Sequence, residues 1–242
     1  MAGAGPSRHA APPAPEPAFS CFVTGTDTGV GKSLVASALL WRQAAQGRRV
    51  VGMKPVAAGA QWRDGAWHNE DVDLLAAAGS VAATADQICP YLLERPLAPH
   101  IAAALAGVAL SAEVLLRAYR RLGERAEAVV VEGVGGFRVP LAAGFDTADL
   151  AAQLGLPVVL VVGMRLGCLN HAALTAEAIA ARGLRLAGWV ANHIDPQMAE
   201  PERNRAALAQ LLPAPCLGVL PWLAPAAPAA AASWLDLRGL AS

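Results

Sequence analysis

The sequence predicts an α/β fold, a mostly parallel sheet flanked by helices and built as a single domain. Short apolar, β-branched runs alternate with amphipathic or Ala/Leu-rich stretches of helical length. Several of these runs are apolar on both faces, as a central strand covered by helices on each side must be. A glycine-rich segment also stands between the first apolar run and the first helical stretch, an arrangement that carries function as well as fold.

Taken in order, the expected strands are Phe19–Thr24, Arg49–Met53, Ala128–Glu132, Val158–Val162, Leu186–Ala191 and Cys216–Leu220. Helices are expected near Lys32–Gln46, Ser111–Leu122, Thr147–Leu154, Asn170–Ala181 and Pro201–Leu211. This βαβ rhythm places ligands at the carboxyl ends of the strands. The segment Pro55–Ala109 is irregular, with short helical pieces such as Val72–Ala78, and long connections of this kind often carry binding groups.

No repeat or linker divides the chain after residue 18, so one domain over residues 19–242 is expected, preceded by a flexible Pro/Ala-rich tail over 1–18. A length of 242 residues suits one large domain with a substantial core. Charged residues make up 16% and apolar ones 55%, which excludes a disordered chain. Nineteen basic residues balance nineteen acidic ones, leaving no net field to attract nucleic acid or an anionic membrane. The apolar run Ala206–Leu235 is broken by Pro213, Pro215, Pro221, Pro225 and Pro228, so no spanning helix is expected. Four scattered cysteines, Cys21, Cys89, Cys168 and Cys216, read as reduced thiols in a cytoplasmic protein. Of the basic residues 17 are Arg and only two are Lys, Lys32 and Lys54. A lysine surviving such a bias is expected where arginine cannot replace it chemically.

Lys32 closes the glycine-rich segment Gly25-Thr26-Asp27-Thr28-Gly29-Val30-Gly31-Lys32-Ser33. Strand, loop and helix in this order suit a phosphate-binding loop, in a P-loop NTPase-like domain: backbone N–H groups curl round an anion and the helix start adds its partial positive charge. Lys32 would reach the β- and γ-phosphates and the Ser33 hydroxyl would hold Mg²⁺. Five residues separate Gly25 from Gly31, one more than the usual spacing. Lys54 ends the second strand, and Glu132 ends Val129-Val130-Val131 before Gly133-Val134-Gly135-Gly136. An ammonium there suits a transferred phosphoryl group or a small carboxylate, and a strand-end carboxylate suits Mg²⁺. Asp71 reads equally well as a helix cap or as a ligand. Asn192 ends a strand where its amide suits an adenine edge, and Pro221-Trp222-Leu223 would wall the base or simply pack. Gly167-Cys168-Leu169-Asn170 offers a second helix start.

Six segments in order, GTDTGVGKS, GMKPVAAG, VVEGVGG, VVGMRLGCLNHA, GWVANH and GVLPWL, resemble those of dethiobiotin synthetase, over about Phe19 to Leu223. The resemblance implies ATP- and Mg²⁺-dependent ring closure on 7,8-diaminononanoate and CO₂ to give dethiobiotin, ADP and phosphate, through a carbamate and a carbamic–phosphoric anhydride. It implies Lys54, Lys32 and Thr28 as catalytic groups, and Ser33, Asp71 and Glu132 as Mg²⁺ positions. ATP would be held by Gly29, Val30, Gly31, Lys32, Ser33 and Leu34, by Gly133 and Gly135, and at the adenine by Asn192, Pro221, Trp222 and Leu223. Ala58 and Gly167 to Asn170 match substrate positions, the latter reaching over from a neighbouring subunit of a homodimer. The chain departs from many members in having Ala58 for serine, from some in having Gly29 for an acid, and has Arg165 where a lysine is often found.

Two alternatives belong to related folds. A partition or septum-site ATPase of the ParA or MinD kind has a signature lysine five positions before the loop lysine, where this chain has Asp27. Another amide synthetase with a phosphate loop, of the cobyrinate kind, needs a further glutaminase domain, for which the chain is expected to end too soon.

Overall fold

The structure, a computed structural model, describes residues 18–223 and 227–238; the tail expected over residues 1–18 lies, but for Ala18, outside the described residues. In chain order the elements are β1 (Cys21–Gly25), α1 (Lys32–Ala44), β2 (Val50–Met53), β3 (Val56–Ala58), β4 (Gln61–Arg63), β5 (Ala66–His68) and α2 (Glu70–Ala78). Then come α3 (Ala85–Ile88), β6 (Tyr91–Leu93), α4 (Pro99–Leu105), α5 (Ala112–Gly123), β7 (Ala128–Glu132), β8 (Pro140–Ala142), β9 (Phe145–Asp146) and α6 (Thr147–Leu154). The chain continues with β10 (Val158–Met164), α7 (Cys168–Ala181), β11 (Leu186–His193), α8 (Pro201–Leu211), β12 (Cys216–Leu220) and α9 (Pro228–Ala232).

Six strands form the central sheet in the order β12-β11-β10-β1-β7-β2, every neighbouring pair parallel. The period of two along each strand sorts side chains between two cores. Cys21, Val23, Val159 and Val161 turn to one face, where they meet Val35 and Leu39 of α1 and Leu75 of α2. Phe22, Val129, Val131 and Val158 turn to the other, against Ala148 and Ala151 of α6 and Ile179 of α7. Both faces are therefore dry, which is why these strands read as unbroken apolar runs.

The expected strands and main helices are all present, with shifted ends. β10 and β11 run to Met164 and His193 because Gly163 pairs with Asn192 and Met164 with His193, so the ladder carries polar residues that composition alone would leave out. α7 starts at Cys168, two residues earlier than expected, behind a left-handed Gly167. Within the irregular segment the structure adds the hairpin β4–β5, the short pair β3–β6 and the helices α3 and α4. The consequence for function is that the carboxyl ends of β1, β2, β7, β10, β11 and β12 share one edge of the sheet, where the candidate residues gather.

Candidate functional site

The segment from Gly25 to Ser33 leaves β1 and enters α1 through Gly31, which lies at φ 89°. Only glycine suits this place twice over, since a side chain would be strained at that φ and its Cβ would overlap Asn192 Nδ2. The neighbouring strands tether the loop. Thr26 N donates to Val161 O at 3.0 Å, and Asn192 Nδ2 donates to Val30 O at 2.8 Å. Arg165, the departure noted above, pairs with Asp27 at 2.5 Å, while Asp27 Oδ1 accepts from Thr28 N at 2.7 Å. Lys32 Nζ donates to the Asp27 carbonyl at 2.8 Å.

Lys54 is the buried charge at the centre of the site. Its ammonium spends all three donors, on Glu132 Oε1 at 2.5 Å, Asp71 Oδ2 at 2.7 Å and, more weakly, Gly133 O at 3.4 Å. Lys54 is 2% exposed and Glu132 0%. Burial works against the lysine's charge, yet Glu132 and Asp71 outweigh it and hold the ammonium above its ordinary range. Burial pushes the Glu132 carboxyl up, against the pull of Lys54. Asp71 is held below its usual range, because Lys54 and the Ser33 hydroxyl together overcome its burial. Lys32, desolvated and facing the like charge of Lys54, is brought down to about 8.

Asp71 is not the helix cap. Asn69 takes that role, its Oδ1 accepting from Asp71 N and Val72 N, which frees the Asp71 carboxylate for the site. Ser33 Oγ lies 2.5 Å from Asp71 Oδ1 and 2.8 Å from Glu132 Oε1. One hydroxyl proton cannot serve both contacts. Glu132 Oε2 is buried without any hydrogen-bond partner. An orphaned carboxylate oxygen beside a hydroxyl and a second carboxylate is an all-oxygen donor set that fits a hard divalent cation such as Mg²⁺. Among the described residues no three His, Cys, Asp or Glu gather as a metal site.

This cluster opens on a cavity of about 880 Å³, which Thr28, Gly29, Ala58, Gly135 and Gly136 also line. Pro96 to Pro99 also line it, a stretch within the irregular connection whose one sequence signal is Pro99, the proline that opens α4. Gly133 N is tied to Val23 O at 2.9 Å. Gly167, Cys168, Leu169 and Asn170 do not line this cavity within one chain; Cys168 is buried and Leu166 beside them is 96% exposed. Of the base-side candidates, Asn192 is buried and holds the loop, while Pro221 and Trp222 line a second cavity of about 500 Å³. Leu223 and Leu34 lean instead against the core. No helix among the described residues is long and apolar enough to cross a membrane.

A family model described as an AAA domain matches residues 20–230. The ATP-dependent dethiobiotin synthetase BioD of Aromatoleum aromaticum is 56% identical over 218 residues, covering 90% of this chain and 97% of that protein. Its counterpart in Janthinobacterium sp. (strain Marseille) is 55% identical over 226 residues, covering 92% and 96%. Among solved structures, the MinC:MinD cell division protein complex of Aquifex aeolicus aligns with TM-score 0.52 at 15% identity, covering 84% of this chain and 81% of that one. The septum site-determining protein MinD of Pyrococcus horikoshii OT3, complexed with Mg-ADP, aligns with TM-score 0.52 at 17% identity, covering 84% and 82%. These two likenesses carry the fold alone.

Proposed function

The chain belongs to the ATP-dependent dethiobiotin synthetase family, an enzyme family of ATP-dependent ligases, and from that premise we propose that it closes the ureido ring of dethiobiotin on 7,8-diaminononanoate. The observation that carries the reading is Lys54, a buried ammonium at the boundary between the phosphate loop and the 880 Å³ cavity.

One amine of the diamine attacks CO₂ and loses a proton to give a carbamate. A carbamate oxygen attacks the γ-phosphorus of ATP, ADP leaves, and a carbamic–phosphoric anhydride remains. The second amine attacks the anhydride carbonyl carbon and gives up a proton, and phosphate departs as the ring closes. Lys54 would exchange its long bond to Gly133 O for the carbamate and the transferred group, and Lys32 the Asp27 carbonyl for phosphate oxygens, so both positive charges meet charge that develops during transfer. Thr28 and the glycines from Gly133 to Gly136 border the same space and orient the reacting groups. Ser33, Asp71 and Glu132 would hold Mg²⁺, which when bound neutralises phosphate charge.

The cavity wall of Pro96, Leu97, Pro99 and Val139 suits the alkyl chain of the substrate. Its carboxylate would be met by Gly167 to Asn170 of a second copy, making the working enzyme a homodimer in the cytoplasm. The direct test supplies ¹³C-bicarbonate, Mg²⁺, ATP and the diamine and weighs the product. Dethiobiotin heavier by one mass unit is expected. An unlabelled product, or none, would reject the reaction.

A further inference from the structure

We infer that Trp234, which lies beyond the last of the recognised motifs, is a wall of the nucleobase site, an inference that rests on the nucleotide reading above. The 500 Å³ cavity lies at the carboxyl ends of β11 and β12, and its lining includes His193, Met198, Val219, Trp222 and Trp234. It begins one residue beyond Asn192, whose amide holds the Val30 carbonyl of the phosphate loop. A nucleotide with its phosphates on that loop therefore carries its base towards this cavity.

Two large rings border the cavity partly in solvent, Trp222 at 55% exposure and Trp234 at 52%, whereas Trp189 is fully buried. An indole face beside a base-sized cavity at the nucleotide edge suits a heteroaromatic ring.

The backbone of Trp234 is held in place. Ala231 and Ala232 of α9, with Leu235 and Leu237, are buried in the core on either side of it. Trp234 N donates to Ala231 O at 3.0 Å, Leu235 bridges Gly218 of β12, and Asp236 N donates to Leu217 O at 2.7 Å. Gly218 makes this approach possible, because a Cβ there would overlap the Trp234 carbonyl oxygen. The edge strand is thus shaped to receive the segment that presents the ring. Trp234 gives binding energy to the base and none to the phosphates.

Calorimetric titration of the full chain with Mg-ATP and, separately, with inorganic tripolyphosphate tests this. Trp234→Ala is expected to weaken ATP about tenfold, within the usual range for one base–aromatic contact, and to leave tripolyphosphate unchanged; Trp234→Phe recovers most of the loss. Gly218→Ala, which keeps the indole but displaces its backbone, is expected to weaken ATP selectively as well. Equal losses for both ligands in Trp234→Ala, or ATP affinity within about twofold of the parent with an unchanged melting temperature, would overturn the inference. A parent chain that binds neither ligand, with Lys32→Ala no different from it, would remove the nucleotide reading itself and this inference with it.

Discussion

The two halves of the functional edge are built on opposite principles. Beneath the phosphates, at the ends of β1, β7 and β2, the chain buries Lys54, Glu132 and Lys32 in ground where folding alone would place apolar residues. On the base side, beyond β11 and β12, it does the reverse and leaves Trp222 and Trp234 half in solvent. Each departs from the usual sorting of residues, and the proposed function gives each a reason: a ligand would complete both surfaces, phosphates beside the charges and a base beside the apolar rings. The phosphate side should therefore fail in turnover and in pH response, and the base side in affinity alone.

The largest effect is expected at Lys54. Lys54→Arg keeps the charge but not the compact ammonium, and should lower kcat by about 10²- to 10³-fold, read as ADP release at saturating substrates. Lys54→Met leaves Glu132 buried without its counter-ion and should also cost about 3–5 kcal/mol in denaturant unfolding. A Lys54→Arg enzyme turning over near the parent rate would erase the contrast between the halves.

The pH response comes next. Burial and the charge of Lys54 bring Lys32 down to about 8, so in the free protein it is charged below that pH and neutral above it. Phosphates bind the charged form and raise its pKa. ATP affinity should be full below about pH 8 and fall about tenfold by pH 9, with proton uptake on binding seen as a buffer-dependent heat. For folding the same depressed pKa means that Lys32 opposes stability below pH 8, and the opposition fades as pH rises towards the ordinary lysine value of 10.5. Flat ATP affinity from pH 7 to 9 would take Lys32 away from the phosphates.

On the base side, Trp222→Ala should raise the KM for ATP about tenfold and leave kcat unchanged, a split that stopped-flow binding and steady-state rates would separate. A smaller effect in the opposite sense is expected at Ala58, which lines the substrate cavity where many relatives by resemblance have serine. Ala58→Ser should lower the KM for the diamine about threefold to tenfold, the worth of one added hydrogen bond. Removal of Met1–Pro17 should leave turnover unchanged, and a large loss would place that segment in the site.

The same contrast explains what could be read beforehand. Lys54 and Glu132 were legible because a charge ending an apolar strand has few structural reasons to be there, and the glycines beside the loop reinforced it. Asp71 is ambiguous from its local sequence and becomes a metal position only through the resemblance, and Asn69, which caps α2, leaves its carboxylate free. Trp222 was legible only as a packing residue or a base wall, and Trp234 not at all, since a tryptophan after an Ala-rich stretch carries no local signal; its position depends on the approach of its segment to Gly218 of the edge strand, which only the fold reveals. The strands of the sheet were plain because burial on both faces demands unbroken apolar runs. The hairpin β4–β5 was not, although its Asp64-Gly65 turn is a recognised signature, because its strands are short and exposed.

On the proposed mechanism, phosphoryl transfer and ring closure occur in one site joined at Lys54. ADP release by the purified chain with Mg²⁺ and bicarbonate, measured with and without 7,8-diaminononanoate, tests it most directly. ADP should appear only with the diamine, one molecule for each dethiobiotin found by mass spectrometry. ADP released at the same rate without the diamine, or nucleotide bound with no product formed, would contradict it and leave a nucleotide-binding fold without this reaction.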